Sequence, residues 1–313
     1  MSIETHSLTK RFKSYTAVDH LNFGIEEGEI FGILGPNGAG KTTTVRMLAC
    51  IIAPSEGSAK VAGFDITKDP NAIRKTVGIL TENPSLYEKM TAVENLEFFA
   101  RAYGMKDRQA VADRIKEILE FFQLWERRNE RVATFSKGMK QKLAIARSIV
   151  HDPEVLFLDE PTANLDPESS KLIRDLIDRL GRIRKHTVLL CTHRLEDAEK
   201  LCTKIMIVNR GTTIIIGTID ELRYRIAGKP KLEVRLRGTT SRMVETVKLL
   251  DSVESVDVLD GGTRLIITAT DAQGAAPYVV RALVDEGAML TGLGEALPSL
   301  EETYLKLVKG GIE

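Results

Sequence analysis

The chain has 313 residues, of which 43% are apolar, so it is long enough to form more than one domain with a buried core. Lysine plus arginine and aspartate plus glutamate number 44 each, and this balance argues against bulk attraction to nucleic acid or to an anionic membrane surface. No run approaches about 18 uninterrupted apolar residues, and the first ten residues lack an apolar signal region, so we expect no membrane-spanning segment.

The first part of the chain predicts a β layer followed by a buried strand and a helix. Residues 3–8 and 17–25 alternate apolar and polar side chains, as antiparallel strands do. The apolar run 29–34 predicts a buried strand, and residues 42–52 predict the helix that follows it. Cys50 lies in this helix segment, and all three cysteines are expected to be small buried side chains in a reducing compartment, because they lack metal-ligand spacing.

Between this strand and helix, eight residues fit the pattern G-x-x-x-x-G-K-[ST], and Thr43 follows them: Gly35, Pro36, Asn37, Gly38, Ala39, Gly40, Lys41 and Thr42. The three glycines allow successive backbone N–H groups to point at one anion, and the positive end of the helix dipole favours it. The pattern therefore predicts a cradle for nucleotide phosphates. Lys41 is expected to reach the β- and γ-phosphates, and the hydroxyl of Thr42 is expected to bind Mg²⁺.

Further along, short continuous apolar runs predict strands that are covered on both faces in a parallel sheet; these are residues 77–80, 155–158 and 187–191. Apolar residues at helical spacing fill most of residues 91–151, which predicts a helical subdomain inserted into the sheet. Residues 205–208 and 213–216, separated by an Asn-Arg-Gly turn, predict a final hairpin.

The pattern breaks at Gly228 and Pro230, and the remaining residues restart with a different rhythm. The predicted order is strand, helix, strand, strand, helix, strand and a last helix, over residues 232–236, 241–250, 253–259, 264–268, 275–286, 289–293 and from 298. This β-α-β-β-α-β order is typical of a ferredoxin-like α+β domain. We therefore expect two domains, residues 1–222 with a helical subdomain at about 84–151, and residues 230–313.

The apolar strand 155–158 ends in two adjacent carboxylates, Asp159 and Glu160. In proteins with a phosphate loop, the acid at this strand end holds Mg²⁺, and this assigns the metal to Asp159. Glu160 is then available to orient or deprotonate the attacking water. The alternative interpretation, a polar strand end before a proline turn, does not account for the phosphate loop that precedes it.

Residues 134–141 (TFSKGMKQ), about twenty residues before the acidic strand, resemble the signature loop of ATP-binding cassette (ABC) proteins. Ser136 and Gly138 begin an amphipathic helix, so hydroxyl and backbone N–H groups form an anion site there. The resemblance implies a RecA-like α/β core with an antiparallel β layer. It also implies that Ser136 and Gly138 contact the γ-phosphate bound to a second subunit, in a head-to-tail homodimer or with a paralogous ABC subunit.

Two more loops agree with the family. Residues 163–166 occupy the place of the dimer-facing D-loop, which assigns Asp166 to the nucleotide interface. His193 follows the predicted strand 187–191, at the position where the family has its switch histidine, which is expected beside the γ-phosphate. An aromatic side chain that stacks on adenine is expected before the first hairpin, and Phe12 takes that register with Tyr15 as the alternative.

The sequence departs from the family pattern at several places. Glu82 stands where glutamine is usual in the loop after strand 77–80, and as a carboxylate it joins Thr42 and Asp159 as an expected Mg²⁺ ligand that adds negative charge beside the metal. The signature loop has Phe135, Lys137 and Met139 in place of the usual leucine, glycine and glutamine.

The resemblance implies an Mg²⁺-dependent ATPase that drives a separately encoded integral membrane permease, which it contacts through Glu82, Asn83 and residues 129–131. The C-terminal domain is similar to that of multidrug, antibiotic or sodium exporters with ABC-2 permeases. We therefore expect a cytoplasmic protein held on the inner face of the membrane by its permease, with no nucleic acid partner. The alternative is a soluble ABC ATPase that acts on ribosomes or nucleic acid, but such proteins carry two cassettes or a long coiled coil.

Overall fold

The computed structural model describes residues 1–82, 85–183, 185–227 and 231–310. Asn83, which was expected at the permease contact, and Gly228 and Pro230, where the pattern breaks, lie outside the described residues. The chain divides into two compact units, of which the first is Met1–Ile219 and the second begins at Asp220. Each unit has its own sheets and its own core.

The first unit contains ten strands among the described residues: β1 (Ile3–Phe12), β2 (Tyr15–Ile25), β3 (Ile30–Leu34), β4 (Glu56–Val61), β5 (Phe64–Asp65), β6 (Val77–Leu80), β7 (Val155–Asp159), β8 (Thr187–Thr192), β9 (Lys204–Asn209) and β10 (Thr212–Gly217). Its helices are α1 (Lys41–Leu48), α2 (Pro70–Thr76), α3 (Ala92–Ala102), α4 (Arg108–Phe121), α5 (Lys137–Ser148), α6 (Pro167–Arg182) and α7 (Leu195–Leu201).

The central sheet has the strand order β10-β9-β3-β8-β7-β6. Strands β9, β3, β8, β7 and β6 run parallel, and β10 pairs antiparallel with β9 as the predicted hairpin. Every residue of β3, β7 and β8 is buried, because helices or the second sheet cover both faces. The carboxyl ends of these strands therefore meet at one edge, where their loops can form a site.

A second sheet, β2-β1-β4-β5, is antiparallel and forms the predicted β layer. It shares one apolar core with the central sheet and α1, and the rings of Phe23 and Phe31 stack there with centroids 5.6 Å apart. Helix α1 ends at Leu48, earlier than predicted, because Cys50 takes a left-handed backbone conformation with φ 55°. All three cysteines are buried free thiols, as expected.

Helices α3, α4 and α5 form the helical block that interrupts the central sheet between β6 and β7. Helix α3 begins with a reciprocal capping box, in which Thr91 and Glu94 each accept from the other's backbone N–H. Buried side chains of the block lie at helical spacing, including Leu96, Ile115 and Phe122. The predicted periodicity of residues 91–151 therefore corresponds to a packed helical subdomain.

The second unit contains α8 (Ile219–Ala227), which begins at the boundary, followed by β11 (Lys231–Leu236), α9 (Ser241–Lys248), β12 (Val253–Leu259), β13 (Arg264–Ala269), α10 (Ala272–Asp285), β14 (Leu290–Glu295) and α11 (Leu300–Gly310). The four strands form one antiparallel sheet in the order β12-β13-β11-β14. Helices α9 and α10 pack apolar side chains such as Val247 and Val279 on this sheet, in a core separate from that of the first unit. Within the described ranges, none of the helices is both long and apolar enough to cross a bilayer.

Candidate active site

A cavity of about 580 Å³ opens where the loops after β3, β6, β7 and β8 meet. Its walls are formed by residues from these loops and from β2: Tyr15, Ala17, Asn37, Gly38, Ala39, Gly40, Lys41, Thr42, Thr43, Glu82, Glu160, Ala163, Asn164 and His193. The structure therefore brings the phosphate loop, the acidic strand end and the histidine together at one edge of the central sheet. A ligand site at this edge is typical of open α/β sheets.

The phosphate loop turns through two glycines with positive φ, 81° at Gly38 and 102° at Gly40. Gly40 is the N-cap of α1 and has no side chain with which to cap the helix. The N–H groups of the first turn of α1 and of the loop therefore remain for an anion, which the helix dipole also favours. Because a Cβ at Gly40 would lie 2.5 Å from the carbonyl oxygen of Ala17, the loop approaches β2 more closely than a side chain allows.

Lys41 is the first residue of α1, and only 6% of its surface is exposed. Its Nζ donates to the carbonyl oxygens of Gly35 at 2.7 Å and Pro36 at 3.2 Å. The same ammonium group lies 3.6 Å from Oε1 of Glu160. Lys41 thus places a buried positive charge between the loop and the acidic strand end.

Asp159 ends β7 and is 2% exposed. Its Oδ2 accepts a hydrogen bond of 2.6 Å from the hydroxyl of Thr42, whereas Oδ1 has no hydrogen-bond partner within the described part of the chain. Burial raises the pKa of Asp159, the hydrogen bond from Thr42 opposes this change, and the negative charges of Glu160 and Glu82 add to it. A cation bound at Oδ1 would stabilise the ionised carboxylate and so oppose this rise in pKa.

The donors at this position fit Mg²⁺, which prefers carboxylate and hydroxyl oxygens together with water and phosphate. Thr42 and Asp159 are already in contact, and Glu82 is an exposed side chain in the wall of the same cavity. Among the described residues, no three His, Cys, Asp or Glu side chains lie close enough together to hold an ion by themselves. Thr42, Asp159 and Glu82 would supply part of a coordination shell if Mg²⁺ were bound with a nucleotide.

Glu160 and His193 form a direct pair, with 2.8 Å between Oε1 and Nδ1. The second carboxylate oxygen of Glu160 accepts a longer bond of 3.4 Å from the hydroxyl of Thr192. The carboxylate of Glu160 is 8% exposed, whereas the imidazole of His193 is 48% exposed and faces the cavity. A buried carboxylate that is oriented by histidine and opens on the phosphate loop can hold a water molecule and accept its proton.

Ser136 and Gly138 lie at another place in the first unit, together with Asp166. Ser136 is the N-cap of α5, and its hydroxyl accepts from the N–H of Met139 at 3.2 Å. Asp166 is the N-cap of α6, and its pKa is lowered by the hydrogen bonds that it accepts from Ser169. Gly138 packs on the same Ser169, whose Oγ would lie 2.8 Å from a Cβ at position 138. Ser136, Gly138 and Asp166 thus form a second group outside the cavity wall, whereas Ala163 and Asn164 of the D-loop line the cavity.

The two aromatic candidates at the first hairpin differ in position. Tyr15 lies in the cavity wall, and its hydroxyl donates to the carbonyl oxygen of Gly38 at 3.3 Å. Phe12 is 47% exposed, and the Nζ of Lys10 lies 5.1 Å from its ring centroid. Tyr15, the alternative, therefore lines the cavity, whereas Phe12 is not among the lining residues.

Sequence reasoning missed several polar residues that support the site. Gln141 donates to the carbonyl oxygen of Pro161, and Arg194 donates to that of Thr162. Asp197 is fully buried and pairs with Arg174. The position of Arg194 directly after His193 is the one sequence signal that could have pointed to this group.

A parallel sheet with a phosphate loop, a buried acidic strand end and a facing histidine defines a P-loop ATPase. The family model described as ABC transporter matches residues 18–163. The bacitracin transport ATP-binding protein of Bacillus licheniformis is 35% identical over 309 residues, which are 99% of this chain and 98% of that protein. The daunorubicin resistance ATP-binding protein DrrA2 of Streptomyces coeruleorubidus is 34% identical over 308 residues, 98% of this chain and 94% of that protein.

Solved structures agree with these relatives. An ATP-binding subunit of an ABC transporter superposes with a TM-score of 0.65 at 29% identity, over 72% of this chain and 93% of that chain. A dimeric ATP-binding cassette in a post-hydrolysis state, bound to ADP and Pi, has a TM-score of 0.63 at 26% identity, over 69% and 98% of the two chains. The chain belongs to the ATP-binding proteins of the ABC transporter family and is an ABC ATPase, which confirms the family that the motifs predicted.

Proposed function

We propose that this protein is the ATP-hydrolysing subunit of an exporter and powers a separately encoded membrane permease of the ABC-2 type. The observation that carries the proposal is that Lys41, Glu160 and His193 meet at one cavity. Asp159 is hydrogen-bonded to Thr42, which lines the same cavity. The names of relatives that align over nearly the whole chain, a bacitracin transport protein and a daunorubicin resistance protein, support the transport role. In this role the protein is cytoplasmic and is held at the membrane by its permease.

In the proposed reaction, the loop N–H groups and Lys41 bind the β- and γ-phosphates of ATP. Thr42, Asp159 and Glu82 would hold the Mg²⁺ that accompanies the nucleotide. When bound, Mg²⁺ neutralises part of the charge on the phosphate oxygens. Glu160 orients the attacking water and accepts its proton, and His193 keeps the carboxylate in place beside the γ-phosphate.

We further propose that the working form is a head-to-tail dimer, formed with a second copy or with a paralogous ABC subunit. Ser136, Gly138 and Asp166 form a group separate from the cavity, so a second copy is the natural source of these contacts to the γ-phosphate. The dimeric cassette with bound ADP and Pi, to which this chain is similar, supports the arrangement. ATP then favours the closed dimer, and hydrolysis removes the phosphate contacts that hold it closed.

For the C-terminal domain, residues 230–313, we propose a ferredoxin-like fold that regulates or stabilises this dimer. The β-α-β-β-α-β order and the antiparallel sheet β12-β13-β11-β14 support the fold assignment. The nucleotide-binding domain is then residues 1–222, with its helical subdomain at about 84–151.

Co-purification from detergent-solubilised membranes tests the partner: an integral membrane protein is expected, and recovery of ribosomes or DNA instead would contradict the transport role.

The catalytic role of Glu160 is tested by Glu160→Gln. We expect ATP affinity to be retained and turnover to fall by a factor on the order of 10² to 10⁴, because the amide cannot accept the proton of water. Size-exclusion chromatography with ATP should then show an accumulated dimer. Glu154→Gln is the matched control, since Glu154 is an exposed carboxylate just before the opposite end of the same strand. Equal turnover in wild type and Glu160→Gln would remove Glu160 from the mechanism.

A further inference from the structure

The backbone of Glu160 has a φ of 52°, a left-handed conformation that residues other than glycine rarely adopt. Its N–H donates to the carbonyl oxygen of Cys191 at 2.9 Å, and its own carbonyl accepts from the N–H of Ala163 at 3.1 Å. A strained residue of this kind persists only where its surroundings determine the conformation. The contacts of the next two residues, Pro161 and Thr162, therefore decide where the carboxylate of Glu160 points.

Arg194 makes the contact that joins this segment to the histidine. Its Nη1 donates to the carbonyl oxygen of Thr162 at 2.9 Å and lies 3.3 Å from the hydroxyl oxygen of Ser170. Arg194 directly follows His193, and Thr162 lies two residues after Glu160. One guanidinium group therefore ties together the two short segments that carry the catalytic pair. The other side-chain bonds described between these segments are the pair itself and a bond of 3.4 Å from the hydroxyl of Thr192 to Glu160.

A buried ion pair also holds the segment of Pro161 and Thr162. Asp197 is fully buried, and its two oxygens accept from the guanidinium of Arg174 at 2.9 Å and from the hydroxyl of Thr162. Gln141, itself buried, donates to the carbonyl oxygen of Pro161 at 2.7 Å. Satisfied buried polar networks of this kind make a local structure rigid and specify one arrangement. Thr162 is thus held at its carbonyl oxygen by Arg194 and at its hydroxyl by Asp197, which pairs with Arg174.

We infer that Arg194 is a positioning residue for hydrolysis, which keeps Nδ1 of His193 at 2.8 Å from the carboxylate of Glu160. The inference rests on the proposed roles of Glu160 and His193. An arginine is suited to this task because its planar guanidinium presents several N–H donors in a fixed geometry and remains charged. Its described side-chain hydrogen bonds are to Thr162 and Ser170, and it is not among the residues that line the cavity, so it acts through His193 and Thr162.

The test compares Arg194→Met and Arg194→Lys with Arg182→Met, a matched control on the exposed face of α6. For Arg194→Met we expect kcat to fall by a factor on the order of 10 to 10², because a displacement of catalytic groups by up to about 1 Å costs factors of this order. KM and the affinity for ATP should stay within about twofold of wild type, since Arg194 does not line the phosphate loop. Arg194→Lys should recover part of the loss, because one donor can still reach a carbonyl.

Side-chain ¹⁵N NMR of the five histidines supplies a readout that a general loss of stability does not move. After assignment with His193→Ala, the Nδ1 resonance of His193 should shift in Arg194→Met and stay unchanged in Arg182→Met. Unchanged kcat and an unchanged His193 resonance in folded Arg194→Met would overturn the inference. If Arg194→Met does not fold, the same two measurements on Arg194→Lys decide it. Normal turnover in Glu160→Gln contradicts the proposed mechanism itself, so the two failures are distinguishable.

Discussion

Two glycines of the phosphate loop provide a matched pair that tests how the loop is held. Gly38→Ala adds a methyl group where no atom lies within 4 Å, so the change introduces only the strain of a left-handed residue with φ 81°. We expect this strain to destabilise the protein by about 1–1.5 kcal/mol. Gly40→Ala adds the same strain at φ 102° and also places the methyl carbon 2.5 Å from the carbonyl oxygen of Ala17. Overpacking against a backbone atom raises its total to about 3–4 kcal/mol.

Thermal unfolding of the nucleotide-free variants measures the difference. With a shift of about 2–4 °C for each kcal/mol, the midpoint should fall by about 2–6 °C in Gly38→Ala and by about 6–16 °C in Gly40→Ala. Addition of ATP and Mg²⁺ should stabilise wild type more than Gly40→Ala, because displacement of the loop misaligns the first N–H groups of α1. Equal midpoints in the two variants would refute the reasoning, since strain would then outweigh the contact with β2.

Two further predictions concern buried titratable groups. Burial raises the pKa of Asp159, so its ionisation destabilises the nucleotide-free fold as pH rises above the ordinary pKa of 3.8. Asp159→Asn should therefore unfold at a higher temperature than wild type at pH 7, and this gain should vanish below pH 3.8. A variant no more stable than wild type at pH 7 would contradict this. Burial also lowers the pKa of His151 from 6.5 to about 4, so the fold should lose up to about 3 kcal/mol as pH falls from 6.5 to 4 and no more below. Urea unfolding across this range should show a flatter profile for His151→Gln, and parallel profiles would exclude His151 as the cause.

The elements that sequence reasoning located well are those whose pattern is local. The parallel strands were visible as continuous apolar runs because each is covered on both faces, and residues 253–259 were predicted with the bounds that β12 has. The end of α1 was misplaced because the apolar run continues past Ala49, whereas the chain turns at Cys50 with a positive φ. That turn depends on packing between two sheets, which a run of apolar letters does not encode.

In the candidate site, too, the residues that belong to a local sequence pattern were predictable and those placed by packing were not. Lys41 and Thr42 belong to one contiguous motif, so their neighbourhood was predictable from spacing. The different positions of Phe12 and Tyr15 were not, because the two residues flank the same turn and only the folded loop brings the hydroxyl of Tyr15 to Gly38. Apart from its position directly after His193, Arg194 gave no sequence signal, because its partners lie 32 and 24 positions away in the chain.

The sequence by itself determined the class of chemistry, since a phosphate loop, a signature loop and an acidic strand end are short contiguous patterns whose residue types suit phosphate, Mg²⁺ and water. Only the tertiary structure decided how these parts are arranged: that Glu160 meets His193, that Oδ1 of Asp159 is left without a donor among the described residues, and that Ser136 stands apart from the cavity. The physical reason is that hydrogen-bond distances and burial depend on how separate strands and helices pack, and this packing is a property of the whole unit.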